Sequence, residues 1–245
     1  MKTNITYIDH SGFFMELPHV AFLFDFYQGE IPSTPKDKPM VVFVSHRHQD
    51  HYNPQIFELV KEYPEVYFVL AKGVPVKRQI EKYTALGVDL ESHIILIKKN
   101  VTEVLTLKSG KSVEITTFKS TDEGVAFLLT FEGKRIYHAG DLNQWVWEGE
   151  SDQYNHNMRV AYLREMTKLD KAEIDVAFVP LDPRLETHAF EGLLVFLEHA
   201  AAKNVYPMHF WGEFQIISKF LEKYPEYYDT IRKISKTGQF FEEEL

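Results

Sequence analysis

Short apolar runs punctuated by turn residues open the chain: Ile5 to Ile8, Phe13 to Leu17, Val20 to Phe26 and Met40 to Ser45. Runs this short, rich in Phe, Val and Ile, predict β-strands. The Pro-rich span from Ile31 to Pro39 lies between two of them and reads as a surface loop, because strands continue on both sides. Pro54 opens a predicted helix near Gln55 to Glu62, followed by a strand at Val66 to Leu70, a helix near Val76 to Thr84 and a strand at Ile94 to Ile97. A meander follows over Glu103 to Leu107, Ser112 to Phe118, Val125 to Phe131 and Arg135 to Ala139, with turns at Ser109-Gly110-Lys111 and Glu132-Gly133-Lys134.

The second half alternates between helical and extended periodicity. Tyr154, Met158, Tyr162, Met166 and Leu169 recur at helical spacing, as do Phe190, Leu193, Leu194, Leu197 and Ala201, and both stripes read as core faces. Strands are predicted at Val176 to Pro180 and Val205 to Met208, and closing helices at Glu213 to Tyr224 and Pro225 to Ser235. Strands, then a meander, then alternation predict an α+β chain with two sheets and helices on the outer faces, organised as one domain over residues 1–245.

The chemistry concentrates where the fourth strand ends. Ser45-His46-Arg47-His48-Gln49-Asp50-His51 places three imidazoles and a carboxylate within one short loop. In extended backbone His46 and His48 point to the same side, while Asp50 and His51 fall where the chain turns and aim at a second point. One loop can therefore seed two metal positions. Nitrogen and oxygen donors without sulfur suit Zn²⁺ best and admit Mn²⁺ or Fe.

Composition narrows the alternatives. The chain has no Cys, which excludes disulfides and thiolate ligands, so a tightly held metal must use His, Asp or Glu. A formal net charge of −9 disfavours extended nucleic acid as a partner and favours a small-molecule substrate. The N-terminal residues Met1 to Thr6 contain no signal-like apolar run and no segment approaches a membrane span, so a cytoplasmic protein without membrane contact is expected.

Asp141 follows the strand Arg135 to Ala139, and Gly140 before it permits close backbone approach, so its carboxylate can stand between two cations, one oxygen for each. His138 points to the other face of that strand and reads as a packed or supporting histidine. His209 sits between a short strand and the apolar Phe210-Trp211-Gly212.

Together, His10-Ser11-Gly12-Phe13, the motif His46-x-His48-x-Asp50-His51, Tyr137-His138-Ala139-Gly140-Asp141 and Pro207-Met208-His209 resemble the metallo-β-lactamase superfamily over nearly the whole chain. Within it, the chain looks most like the single-domain hydrolases related to ascorbate-phosphate lactonase. The resemblance implies a four-layer sandwich of two mixed sheets between helices, and a site for two divalent ions. It makes His209 the last ligand of the second ion.

The chain departs from the family at one point. The third histidine of the first site has no counterpart before Asp141, since His93 comes too early; the expected position falls in Lys119 to Gly124. Asp122 is the substitute expected there, with Glu123 second, and a carboxylate would favour Mn²⁺ or Fe relative to Zn²⁺. The resulting assignment gives His46, His48 and Asp122 to the first ion and Asp50, His51 and His209 to the second. Asp141 bridges, Asp50 also orients the nucleophile, and His10 supports a ligand. Arg184 is a candidate fork for a carboxylate or phosphate, His188 a candidate proton donor and Trp145 a candidate wall or lid of the substrate pocket. His93, His156 and His199 are left outside the site. The expected activity is hydrolysis of a small phosphoester or a lactone or other cyclic ester by a metal-activated hydroxide. The alternative is a non-catalytic metal-binding or ligand-sensing protein that keeps a degraded site.

Overall fold

The computed structural model describes residues 1–245. In the first half the strands are β1 (Lys2–Asp9), β2 (Gly12–Glu16), β3 (Ala21–Phe24), β4 (Met40–Val44), β5 (Val66–Ala71) and β6 (Ile94–Ile97). The meander supplies β7 (Thr102–Thr106), β8 (Ser112–Lys119), β9 (Val125–Phe131) and β10 (Lys134–His138). The second half adds β11 (Glu173–Pro180), β12 (Ala201–Met208) and β13 (Gln239–Glu244). Four α-helices complete the chain: α1 (Lys77–Ala85), α2 (Asp152–Met166), α3 (Glu191–His199) and α4 (Gln215–Lys223).

The strands form two mixed sheets, ordered β13-β1-β2-β3-β4-β5-β6 and β12-β11-β10-β9-β8-β7. In the first, β3 to β6 are parallel; in the second, β10, β11 and β12 are parallel and the meander is antiparallel. Strand alternation sends one set of side chains between the sheets and the other outward. Phe13 meets Phe178 at 4.2 Å between ring centroids, Phe43 meets Phe127 at 5.3 Å and Phe22 meets Phe131 at 6.0 Å, so aromatic side chains fill the space between the layers. On the outer faces Tyr137 stacks on Phe196 of α3, and Phe68 packs on Phe57 of the segment Pro54–Lys61. These contacts belong to one cluster of 72 buried hydrophobic residues. The four-layer α+β sandwich expected from the sequence is the observed fold.

Several elements differ from the sequence reading. The helix expected near Gln55 to Glu62 forms as the 3-10 helix Pro54–Lys61. Ala201 leaves the helical stripe to begin β12. Pro225 to Ser235 is not a helix beyond the 3-10 turn Pro225–Tyr227. The backbone there pairs with the edge of β12 instead: Val205 N–H donates to Thr230 O and Arg232 N–H to Val205 O, burying Ile231 and Ile234. The strand β13 was not expected. Its charged sequence hides an extended edge that pairs antiparallel with β1 and sets Phe241 against Tyr206. No helix is long and apolar enough to cross a membrane.

Candidate metal centre

Parallel pairing within each sheet brings the C-terminal ends of β3, β4, β10, β11 and β12 to one rim, where sheets of this kind present their loops. Asp25 follows β3, the histidine loop follows β4, Asp141 follows β10, Asp182 follows β11 and His209 follows β12. His10 occupies the tight turn between β1 and β2. Val125 N–H donates to Ser45 O and His209 N–H to His10 O, which ties the two sheets together at this rim. Gly124 makes the first of these contacts possible: a Cβ there would stand 1.9 Å from Ser45 O, and its φ is +76°. His10, Asp25, His209 and Trp211 all hold positive φ without being glycine, so backbone strain gathers at the same place.

Three clusters of possible donors gather here: an inner group of His10, Asp50, His51 and His209, an outer group of His46, His48 and Asp141, and a third of Asp25, His46 and His51. The third lies behind the rings, where Asp25 hydrogen-bonds His51 Nδ1 and the Ser45 hydroxyl that meets His46 Nδ1. The inner and outer groups turn free donor atoms toward the cavity side. Asp141 faces both. Its Oδ2 lies 3.2 Å from His46 Nε2, while its Oδ1 lies 3.0 Å from His51 Nε2 and 3.3 Å from His209 Nε2. His46 Nε2 is 3.0 Å from His48 Nδ1, and Asp50 Oδ2 is 3.2 Å from His10 Nε2 and 3.8 Å from both His51 Nε2 and His209 Nε2.

Most of these separations fit a shared cation, since donors each 2.0 to 2.2 Å from one ion stand roughly 2.8 to 3.6 Å apart, from octahedral to tetrahedral arrangement; the two 3.8 Å separations of Asp50 are wider. The donor atoms are also orphaned: His51 Nε2, His209 Nε2, Asp141 Oδ1 and both ring nitrogens of His10 are buried without an aligned hydrogen-bond partner. A buried polar atom without a partner is costly, and four of these, His10 Nε2, His51 Nε2, His209 Nε2 and Asp141 Oδ1, gather around one point and are accounted for by a ligand there.

Carboxylates behind the histidines fix their orientation. Asp182 accepts from His209 Nδ1 at 2.8 Å and Asp25 accepts from His51 Nδ1 at 2.7 Å. Asp25 also accepts from Ser45 N–H at 2.7 Å and from Ser45 Oγ at 2.6 Å. Because the Ser45 hydroxyl proton is directed to Asp25, its oxygen accepts from His46 Nδ1 at 2.9 Å. All three rings thus carry their proton on Nδ1 and turn Nε2 toward Asp141, the tautomer that metal ligation requires. Asp25 and Asp182 were absent from the sequence-based site; a carboxylate ending an otherwise apolar strand, as in Phe22-Leu23-Phe24-Asp25, was the available signal.

Electrostatics of the ion-free protein follow from this packing. Burial alone would lower the pKa of His51 and of His209, yet the Asp141 carboxylate overcomes it and raises both, strongly for His51. Burial works to raise Asp141, and the neighbouring charges of His51 and His209 hold it well below the ordinary carboxylate range. Histidines with raised folded-state pKa stabilise the fold below their ordinary value of 6.5 and lose that contribution as pH rises through the folded pKa. The depressed carboxylate contributes above its ordinary 3.8 and loses that contribution as pH falls. His10 and His138, whose pKa burial lowers, to about 4 for His10, act in the opposite sense and cost stability as pH falls below 6.5. Thermal unfolding of chelator-treated protein should therefore show highest stability at about pH 6.5 and a decline above it. Ion-loaded protein should do the reverse, because ligation needs neutral rings. A melting temperature of the ion-free form that climbs steadily from mild acid to alkaline pH would contradict the arrangement.

A cavity of about 270 Å³ opens onto the donors, lined on one side by His48, Asp50, Asp122, Asp141 and His209. Trp145 is buried beside His209 at 5.3 Å between ring centroids, and its indole N–H donates to Asp141 O, so it forms a fixed wall rather than a lid. Arg184 reaches the cavity, but its Nε and Nη2 donate to Asp182 and its guanidinium lies 4.7 Å over Trp211 and 5.9 Å over Trp147. Only the remaining edge of the fork is free for a ligand. Tyr154 and Met158 also line this cavity, and Tyr154 is exposed, which corrects its reading as part of a core stripe.

The structure does not bring every sequence candidate to the centre. His188 does not line the cavity; Glu191 pairs with its Nδ1 at 2.6 Å, so no proton-donor role is supported there. Asp122 Oδ2 stands 4.0 Å from His48 Nδ1 and half exposed, at the edge of the outer group without joining it, while Glu123 Oε2 lies 3.2 Å from His48 Nε2. His10, expected as a support, sits inside a donor group. His138 is packed, as expected: its Nε2 donates to Ser11 O, its Nδ1 accepts from Gly140 N–H, and its ring stacks on Phe24. His93 pairs with Val66 O, His199 with Asp170, and His156 is exposed on α2, all outside the two groups.

Comparison with known proteins agrees with this architecture. The chain is 26% identical over 188 residues to a UPF0173 metal-dependent hydrolase of Opitutus terrae, covering 73% of this chain and 72% of that protein. Its fold is similar to that of Igni18, a metallo hydrolase of the archaeon Ignicoccus hospitalis, with a TM-score of 0.65 at 18% identity and full coverage of both chains. It is also similar to CmlA, a diiron β-hydroxylase of Streptomyces venezuelae, with a TM-score of 0.61 at 12% identity, covering 99% of this chain and 54% of that one. At these identities the two structures speak for the fold alone. The sequence pattern of the beta-lactamase superfamily domain matches residues 4–209, a span that runs from β1 to His209 and takes in every donor described above; the chain belongs to the beta-lactamase superfamily, in its metallo-β-lactamase fold.

Proposed function

We propose that this protein is a metal-dependent hydrolase of a small phosphoester or of a lactone or other cyclic ester, with an ion in each donor group and Asp141 shared between them. The observation that carries the reading is the division of the Asp141 carboxylate, one oxygen facing His46 and the other facing His51 and His209. Divalent ions held there supply a nucleophilic water at neutral pH and polarise the oxygen of the scissile bond. Zn²⁺ suits the donor set best, with Mn²⁺ or Fe as the alternatives.

The chain's own groups do the rest. Asp25 and Asp182 lock the ligand rings, so little reorganisation accompanies the reaction. Asp50, which lines the cavity and keeps its carboxylate ionised, is placed to accept a proton from water and orient it. Trp145 and Trp147 exclude bulk water from one side, and the free edge of Arg184 meets an anionic group of the substrate. The cavity is small even beside the usual range of about 300–1,000 Å³ for small-molecule sites, which favours a small metabolite over a polymer.

Elemental analysis after loading with Zn²⁺, Mn²⁺ or Fe²⁺, followed by a screen of phosphodiesters, phosphomonoesters and lactones, tests the reading. Two ions per chain and metal-dependent turnover of one class are expected. Protein carrying both ions yet inert toward all three would favour the non-catalytic, ion-binding alternative. In the same assay Asp122→Ala should release one ion and keep the other, and Asp122→His should shift preference toward Zn²⁺, if the Asp122 carboxylate closes on the outer ion. Unchanged two-ion content in Asp122→Ala would remove it from the ligand set.

A further inference from the structure

The structure assigns His10 as a direct ligand of the inner ion, which leaves the two ions unequally held: five protein donors, His10, Asp50, His51, His209 and one Asp141 oxygen, against three in the outer group. The assignment rests on the metal reading above and adds a residue to it. His10 is 2% exposed, and neither ring nitrogen has a hydrogen-bond partner. A buried histidine that only supports its surroundings looks different in this same chain, since His138 uses both nitrogens on backbone groups. A histidine supporting Asp50 would aim an N–H along the line to its carboxylate. His10 Nε2 is near enough, at 3.2 Å from Asp50 Oδ2, but is not aligned with it. The backbone holds the ring there at φ 53°, a conformation costly for a non-glycine residue, and the ring is wedged against His209 at 4.1 Å and Trp211 at 4.3 Å.

Five donors close most positions around the inner ion, and four of the five donor residues are buried. In the outer group His48 is 44% exposed and faces the cavity. The inner ion is therefore the slow-leaving one, and the outer ion is the one that solvent, chelator and substrate reach first.

Cobalt(II) is the probe that separates these cases, because its visible absorption is intense in four-coordinate sites and weak in five- or six-coordinate ones. Wild-type protein loaded with two equivalents should release cobalt to a chelator in a fast and a slow phase, the slow-leaving ion having weak absorption. His10→Phe preserves the ring packing against Trp211 and should release the second ion about a hundredfold faster, with intensified absorption. Added imidazole should restore slow release in His10→Ala. A wild-type protein whose retained ion absorbs intensely as a four-coordinate site overturns the assignment, without needing any variant to fold. So does a folded His10→Phe protein with the wild-type release rate and spectrum. His51→Ala separates the two readings: if it also keeps both ions with unchanged release, the metal reading itself has failed, whereas loss of an ion there alone condemns only His10.

Discussion

Asp141→Ala is expected to lose both the shared ion site and hydrolysis, with turnover reduced at least about a thousandfold, some 4 kcal/mol of transition-state stabilisation. Its carboxylate is the one group within 3.3 Å of His46, His51 and His209 together, so in the two-ion reading proposed above its removal would take a donor from each ion at once. No neighbour can replace it: Asp25 and Asp182 already accept from ring N–H groups, and Asp50 faces His10. His48→Ala should be milder in ion content, costing the outer ion alone, because His48 belongs only to that group. Circular dichroism should show the fold intact in both, since neither side chain belongs to the apolar cluster that holds the two sheets together. Full turnover with two ions bound in Asp141→Ala would end the shared-site reading.

The parts of this protein legible in its sequence are those whose information is local. Alternation and turn residues placed β1 to β12 to within a few positions, because each buries one face against the same core. The histidine loop was legible because four donors lie within six positions of one strand end. Asp141 and His209 could be brought beside it only by adding topology, which sends the parallel strands to a common rim. What sequence hid is what arises between distant segments. His10 and His209 are joined through a backbone hydrogen bond across the two sheets, and nothing near His10 in the chain reports on that contact. β13 carries too many glutamates to show an apolar face, yet Glu243 accepts from Arg232 and Tyr206 and so stabilises the edge it forms. Tyr154 shares a helical stripe with Tyr162, but the stripe passes from the core to the cavity along its length.

Asp25 provides the sharpest case of hidden information and the second large expected effect. It is fully buried, and its two oxygens accept from Ser45 N–H, Ser45 Oγ and His51 Nδ1, which places one carboxylate behind two histidines of different donor groups. Asp25→Ala strands these donors in the interior, and loss of one partner from a buried charged network costs about 3 to 5 kcal/mol. For a chain of this length that corresponds to a melting temperature lower by roughly 6 to 20 °C in chelator-treated protein. Asp25→Asn should separate stability from ligation. An amide of the same shape refills the space and still accepts from Ser45 N–H, so most of the stability returns. Its NH₂, however, faces the Ser45 hydroxyl and the His51 N–H, donor against donor, and relief requires the His51 proton to move to Nε2, the atom turned toward Asp141. That tautomer cannot ligate, so ion affinity should fall by about 10- to 100-fold while the protein remains folded. An Asp25→Ala protein melting within a degree of its parent would show that the carboxylate is not the hub of this network. An Asp25→Asn protein that binds its ions as tightly as its parent would show that the histidines take their orientation from elsewhere.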